Sequence, residues 1–244
     1  MSDDKVLATL TGEFVQPVRI HYKVLDHKRL LRLFRKLRCT DYDPSQDRWV
    51  WLYDNEAKGI KFKQPYAVLP KQLHPIVIGS FFIRAKDKML LDVRSCERAI
   101  KGIVFFDKHL PHTVVKTTDA EVVNRLFRSE DSQMTPDSVF DDQVSTARDP
   151  EADMQKLRTL AAQTDDHEEK SQLVLDQMQA NSKRPLPEIE RFAIHYYEDG
   201  ITGFAAALRM RQLVALQHWM GHGDFTMFDA IQKSISHAVT DGPL

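Results

Sequence analysis

The pattern of hydrophobic and polar positions in the first half of the chain predicts a sheet crossed by helices. Residues 18–25 alternate between apolar and polar side chains, which is typical of a half-buried strand. Asp26 can cap a following helix through about residue 38, whose leucines and phenylalanine form one apolar stripe. Further strands are predicted at 48–53, 60–63, 76–84, 89–93 and 113–117, and further helices at 97–109 and 119–127.

The pattern changes after residue 130. Residues 131–149 are rich in Ser and Asp, include Pro136 and carry little periodicity, which predicts an acidic linker. The pattern of the remaining chain predicts helices at about 150–163, 166–180, 186–199, 203–220 and 225–239. The sequence therefore predicts an α+β class: a basic α+β domain over 1–130 with a mainly antiparallel sheet and helices on one face, the linker, and an acidic all-helical domain over 150–244.

Charge divides the chain at the same place. The 244 residues carry a net charge of −1, but residues 1–130 hold 24 Lys and Arg against 16 Asp and Glu, a net +8. Residues 131–244 hold the other 10 and 19, a net −9. A basic half of this size often faces an anionic partner. The alternative is that the two halves attract each other within one molecule.

The predicted helix after Asp26 is strongly basic on the face opposite its leucine stripe. A cationic amphipathic helix suits phosphate backbones or acidic protein partners, although such faces are also found simply in contact with solvent. No acidic residue interrupts this run, which favours a binding role. The candidate anion-binding residues are Lys28, Arg29, Arg32, Arg35, Lys36 and Arg38.

Three aromatic residues, Trp49, Trp51 and Tyr53, lie on one face of the predicted strand 48–53. If that face is covered, they belong to a central strand of the core. If it is open, the rings can stack nucleobases, and Arg19 and Lys23 on the polar face of the first strand can hold phosphates beside them. This combination predicts an RNA-binding surface.

An enzyme is the weaker alternative. Cys96 follows Ser95 in the first turn of a predicted helix, where the helix dipole and neighbouring arginines can lower a thiol pKa. His218 and His222 have the spacing of a zinc pair, and a third ligand would have to come from His195 or His237. Each of these features is more often structural.

A run of alternate oxygen-bearing side chains starts at Asp41 and resembles half of a calcium loop, but its second half fails: Gln46 stands where Gly is needed and Leu52 where Glu is needed. A polar turn before a strand is the better interpretation.

The sequence as a whole predicts a non-enzymatic binding protein without cofactor, metal or membrane contact, whose partner is RNA. The alternative is an adaptor that docks on an acidic protein surface. Two cysteines and no apolar run of membrane-spanning length predict a cytoplasmic protein. The pattern leaves the oligomeric state open.

Overall fold

The computed structural model describes residues 5–147, 150–164 and 166–240, with backbone only for 150–151 and 235–240. Most of the strands precede most of the helices along the chain. The strands are β1 (Val18–Val24), β2 (Thr40–Asp43), β3 (Arg48–Leu52), β4 (Val77–Ala85), β5 (Lys88–Val93), β6 (Val115–Val123), β7 (Thr146–Ala147) and β8 (Ile189–Ala193). They form one sheet in the order β2-β3-β4-β5-β1-β6-β8-β7, in which every pair is antiparallel except β7 with β8.

The helices are α1 (His27–Phe34), α2 (Cys96–His109), α3 (Pro136–Asp142), α4 (Pro150–Ala161), α5 (His167–Ser182), α6 (Tyr196–Asp199), α7 (Ile201–Trp219) and α8 (Met227–Thr240). The α+β class predicted from the sequence is confirmed, with a mainly antiparallel sheet and helices concentrated toward the C-terminus. No helix within the described ranges is long and apolar enough to cross a membrane.

One face of the sheet packs against α1, α2 and α7 and forms the main core. We call it the helix-covered face. The alternation in β1 places Val18 and Ile20 there, and both are fully buried. Helix α2 approaches closely because it carries Gly102 above the ring of Trp51. A Cβ at position 102 would lie 3.2 Å from Cζ3 of that ring, so the indole takes the space that a side chain would fill.

The opposite face carries a ladder of charges across adjacent strands. Arg19 in β1 lies opposite Asp92 in β5 on one side and Glu121 in β6 on the other. The ladder continues to Arg191 in β8, whose Nη1 lies 3.9 Å from Glu121. Helix α3 covers part of this face, and Asp141 of α3 adds a second carboxylate to Arg19 at 2.8 Å. These pairs satisfy charges that the sheet would otherwise bury alone.

Three predicted elements differ from the structure. The predicted helix at 119–127 is wrong, because residues 115–123 form a single strand that is paired on both sides by β1 and β8. The predicted helix at 186–199 is also wrong, because its first part forms β8 and only Tyr196–Asp199 is helical. Residues 55–59 form a 3-10 turn, and 60–63 form no strand.

The sheet continues across the boundary that charge and pattern place at residue 130. Strand β8 lies next to β6, and α7 packs over it through Arg211, whose Nε lies 2.8 Å from Oε2 of Glu190. The predicted linker contains α3 and β7, while its last two residues, 148–149, lie outside the described part. The division into a basic and an acidic domain stays a prediction.

Candidate nucleic-acid interface

Helix α1 is held on the sheet by its apolar stripe. Asp26 caps it, with its carboxylate accepting a hydrogen bond from the backbone N–H of Arg29 at 2.9 Å. Leu30 and Phe34 are fully buried, and the Phe34 ring centroid lies 4.9 Å from that of Phe81. The buried stripe fixes which face of α1 points outward, and that face carries the predicted cations.

All six predicted cations of this helix and the turn after it are exposed: Lys28, Arg29, Arg32, Arg35, Lys36 and Arg38. We call them the basic surface. Among the described residues only Arg38 has an ion-pair partner in this set, with its Nε 3.7 Å from Glu56. The arginines of the sheet behave differently, since each of them has a carboxylate nearby. Arg48 lies 3.1 Å from Asp43, for example.

The charges in the first turn of α1 interact unfavourably with the helix dipole. It contains Lys28 and Arg29 and no acidic residue. The N-terminus of a helix carries partial positive charge, so cations there cost about 0.3–1 kcal/mol each at low salt. A solvated helix stabilises itself better with acids in this turn. The arrangement therefore favours an anionic partner over a purely solvated face.

The acidic second half does not neutralise the basic surface in the part of the chain that the structure describes. Ion pairs between the two halves involve other arginines: Arg19 and Arg84 bind Asp141, and Arg125 binds Glu188. Attraction between the halves thus operates elsewhere on the molecule. Among the residues that the structure describes, five of the six cations of the basic surface have no carboxylate partner.

The aromatic residues predicted to stack bases are not available for that role. Trp51 and Tyr53 are fully buried, and Trp49 is only 8% exposed. They lie on the helix-covered face, where the Trp51 ring stacks on Phe105 at 5.6 Å between centroids. The prediction of an open stacking platform is therefore corrected: this is a central strand covered by α1 and α2.

Arg19 is also not available to an anion. It is 5% exposed, and its Nε and Nη2 donate hydrogen bonds of 2.8 Å to the two carboxylate oxygens of Asp92. Burial lowers the pKa of Arg19, but hydrogen bonds and charge from Asp92 and Asp141 outweigh this and raise it overall. Its predicted phosphate contact is corrected to a structural ion pair.

Lys23, in contrast, is exposed and belongs to a cluster that the sequence did not reveal. It lies directly opposite Lys88 in β5 and directly opposite Lys116 in β6. All three are exposed, and none has an ion-pair partner among the described residues. We call Lys88, Lys23 and Lys116 the lysine row. Only the strand register brings these residues together, so no local sequence signal could have found Lys88 and Lys116.

The lysine row lies at the end of β1 that leads into α1. Only Val24, Leu25 and the capping Asp26 separate Lys23 from the first residue of the helix. Backbone hydrogen bonds hold this connection against the neighbouring strands, since the N–H of Leu25 donates to the carbonyl of Val114 at 2.8 Å. The row and the N-terminal part of the basic surface are therefore close along the chain and held by a fixed connection.

The thiols are buried rather than activated. Cys96 is 2% exposed, and burial raises its pKa to about 12. Its Sγ lies 3.4 Å from the side-chain oxygen of Gln16. Burial, followed by the carboxylate of Glu56, also raises the pKa of Cys39 to about 12. Neither cysteine has the accessible thiolate that nucleophilic catalysis needs.

The histidine pair near the end of α7 has other contacts. The ring Nε2 of His218 lies 2.7 Å from the carbonyl oxygen of Phe225. Within the described residues, no group of three or more His, Cys, Asp or Glu side chains could hold a metal ion. His237, a predicted third ligand, lies where side chains are not described.

The calcium-like run around Asp43 forms the turn between β2 and β3. Asp43 accepts a hydrogen bond from the Ser45 hydroxyl at 2.6 Å and pairs with Arg48. Its oxygens therefore stabilise a polar turn, as the incomplete motif indicates.

Comparison of the chain with protein-family models, curated proteins and solved structures finds no match. The chemistry of the surface is therefore the only basis for a function.

Proposed function

We propose that this protein binds structured RNA through its phosphate backbone, using the basic surface of α1 together with the lysine row. The observation that carries the proposal is the set of exposed cations on α1 and its following turn that lack a carboxylate partner among the described residues. Cations that are not neutralised within the protein can release the counterions of a polyanion on binding, which supplies most of the affinity for nucleic acid.

Backbone contact fits better than base reading. The basic surface has no Asn or Gln, the residues that read adenine edges, and the three rings predicted to stack are buried. Double-stranded RNA is recognised mainly by shape and by contacts to phosphates and 2′-hydroxyls. The lysine row lies on the face of the sheet that α1 does not cover, so the two clusters would hold phosphates on either side of the edge where β1 leads into α1.

The test is a salt titration of hairpin RNA binding to the full chain, followed by fluorescence anisotropy. The variant Arg32→Glu/Lys36→Glu removes two proposed phosphate contacts and introduces repulsion at both. We expect its affinity at low salt to fall at least about tenfold and the salt slope to decrease by roughly two, since each contact contributes about 0.9.

The matched control is Arg158→Glu/Lys170→Glu. Arg158 on α4 is exposed and Lys170 on α5 is partly exposed, and the double variant changes the net charge by the same amount. It should bind nearly as well as the wild type, because long-range charge effects are screened at moderate salt. If the two double variants bind RNA equally well, the proposal is wrong.

A second candidate is the adaptor function, and one groove favours it. Between α2 and the 3-10 turn at 55–59 lies a space of about 520 Å³. Its floor includes Ile100 and Val104 of α2, and Lys61 and Lys108 lie at its rim. An apolar floor with basic rims suits an acidic amphipathic peptide. A captured partner that survives nuclease treatment and is lost in Val104→Glu would support this function.

A further inference from the structure

A groove separates α1 from the hairpin of β2 and β3. Its volume is about 420 Å³, which lies within the range of small-ligand pockets. Helix α1 and Arg35, the residue that follows it, supply one wall. The hairpin supplies the other wall, and β4 closes one side. The lining residues are His27, Leu31, Arg35, Tyr42, Asp47, Trp49 and Ile83.

We propose that this groove binds one unpaired nucleobase, so that the protein prefers structured RNA with a bulged nucleotide to a fully paired stem. This inference rests on the proposed RNA-binding function and adds a subsite to it. It follows from three features of the groove: an exposed ring, an apolar floor and a cation at its mouth.

Tyr42 supplies the ring. Its side chain is 45% exposed, although the Trp49 ring lies 5.4 Å away between centroids. The Tyr42 hydroxyl donates a hydrogen bond of 2.7 Å to Oδ1 of Asp47, which restrains the ring at the groove wall. Stacking on such a ring tolerates any base, because every base presents a π-face.

The floor is apolar. Leu31, Trp49 and Ile83 provide its apolar contacts. His27 also lines the groove, but its Nδ1 is buried with no hydrogen bond among the described residues, so an occupant cannot reach this atom unless the ring moves. The polar edge of a base is met instead by the charged side chains of the walls, Arg35 and Asp47.

Arg35 links the groove to the basic surface. It is exposed, has no ion pair among the described residues and belongs to both sets. A phosphate held by Arg35 places the attached base toward the groove. Asp47 lines the hairpin wall and repels phosphate, so the phosphate is confined to the helix side while the carboxylate accepts from an exocyclic amino group.

The experiment compares two hairpin RNAs of equal length, one with a single bulged adenosine and one fully paired. Each is titrated against the full-length wild type, Tyr42→Leu and Tyr42→Phe. Leucine removes the ring, whereas phenylalanine keeps the ring and loses the bond to Asp47. Tyr42 lies on an exposed edge strand, so both variants are expected to fold. Adenosine 5′-monophosphate is titrated separately, with the methyl NMR signals of Leu31 as the readout.

We expect the wild type to bind the bulged hairpin at least about fivefold tighter than the paired one, as one stacked base can provide. Tyr42→Leu should lose this preference, and Tyr42→Phe should retain most of it. Equal binding of the two hairpins by the wild type would overturn the groove proposal and leave backbone binding by α1 intact.

The two proposals fail in different ways. If Arg32→Glu/Lys36→Glu binds hairpins normally while Tyr42→Leu loses the bulge preference, the phosphate surface is wrong and the groove is supported. If the wild type binds neither hairpin, the proposed RNA-binding function is wrong. The titration with adenosine 5′-monophosphate then tests whether the groove binds a base. A shift of the Leu31 methyl signals that is absent in Tyr42→Leu supports a base site, and no shift overturns it.

Discussion

Lys23 of β1 lies directly opposite Lys88 of β5, so two like charges face each other across one pair of strands. Lys116 repeats the relationship on the other side of β1. Like charges directly opposite each other in a sheet are destabilising, by amounts comparable to the roughly 0.2–1 kcal/mol that favourable cross-strand pairs contribute. Such a row is explained if it serves a bound anion.

We predict that Lys23→Thr stabilises the protein and weakens RNA binding. The substitution removes the central charge of the row, and threonine suits an exposed strand position. The free energy of unfolding should rise by about 0.2–1 kcal/mol at low salt. Urea unfolding at low and high salt measures the change, and the gain should shrink as salt screens the wild-type repulsion.

The control for this prediction is Lys86→Thr, at the turn between β4 and β5. Lys86 is exposed and does not lie in register opposite another lysine. It should change stability less than Lys23→Thr does. A Lys23→Thr variant that is less stable than wild type at low salt would contradict the proposed repulsion.

The buried pair of Arg211 and Glu190 should be important for stability. Arg211 is 4% exposed, Glu190 is fully buried, and Arg211 also lies 4.3 Å from the centroid of the Phe192 ring. Arg211→Met leaves the carboxylate buried without this partner. The free energy of unfolding should fall by about 3–5 kcal/mol, as measured by urea unfolding.

Two further variants separate this effect from simple loss of an arginine. Arg125→Met breaks an exposed pair with Glu188, about half exposed on both sides, and should cost less than about 1 kcal/mol. Arg211→Met/Glu190→Gln removes both charges and should cost less than the sum of the single changes. Similar losses in Arg211→Met and Arg125→Met would show that the buried pair is not special.

Both cysteines should resist alkylation in the native protein. Burial raises the thiol pKa of Cys39 and of Cys96 to about 12. At about pH 8.5, where an ordinary thiol is half ionised, almost no native thiolate is present. Iodoacetamide labelling followed by mass spectrometry should give little reaction before unfolding and two modified cysteines in urea. Rapid native labelling of Cys96 would instead restore it as a candidate nucleophile.

The basic helix is the part of the candidate site that the sequence predicts well. Its apolar stripe has a helical period, Asp26 is a good cap, and burying Leu30 and Phe34 leaves the cations outside. Each of these features depends only on residues near each other in the chain. Burial of the strand 48–53 depends on distant residues, because the alternation in a strand is the same whether or not a helix covers its face.

The errors at 119–127 and 186–199 have one cause. Each segment carries residues that also suit a helix, yet part of each forms a strand, because neighbouring strands supply hydrogen bonds to that part. Asp119 illustrates this: the sequence predicts it to be a helix cap, but in the sheet it lies opposite Ala193 and accepts a hydrogen bond from Arg191. Strand pairing over such separations leaves no mark in a short window of sequence.

Local pattern alone accounts for the α+β class, the start and cap of α1 and the run of cations, although α1 ends at Phe34 rather than at the predicted residue 38. Each depends on hydrogen bonds and periodicity within a few residues. Packing between distant segments places Trp49, Trp51 and Tyr53 in the core, pairs Arg19 with Asp92 and sets Lys23 between Lys88 and Lys116. These outcomes depend on strand register and on which face a distant helix covers, and both are set by packing between segments far apart in the chain.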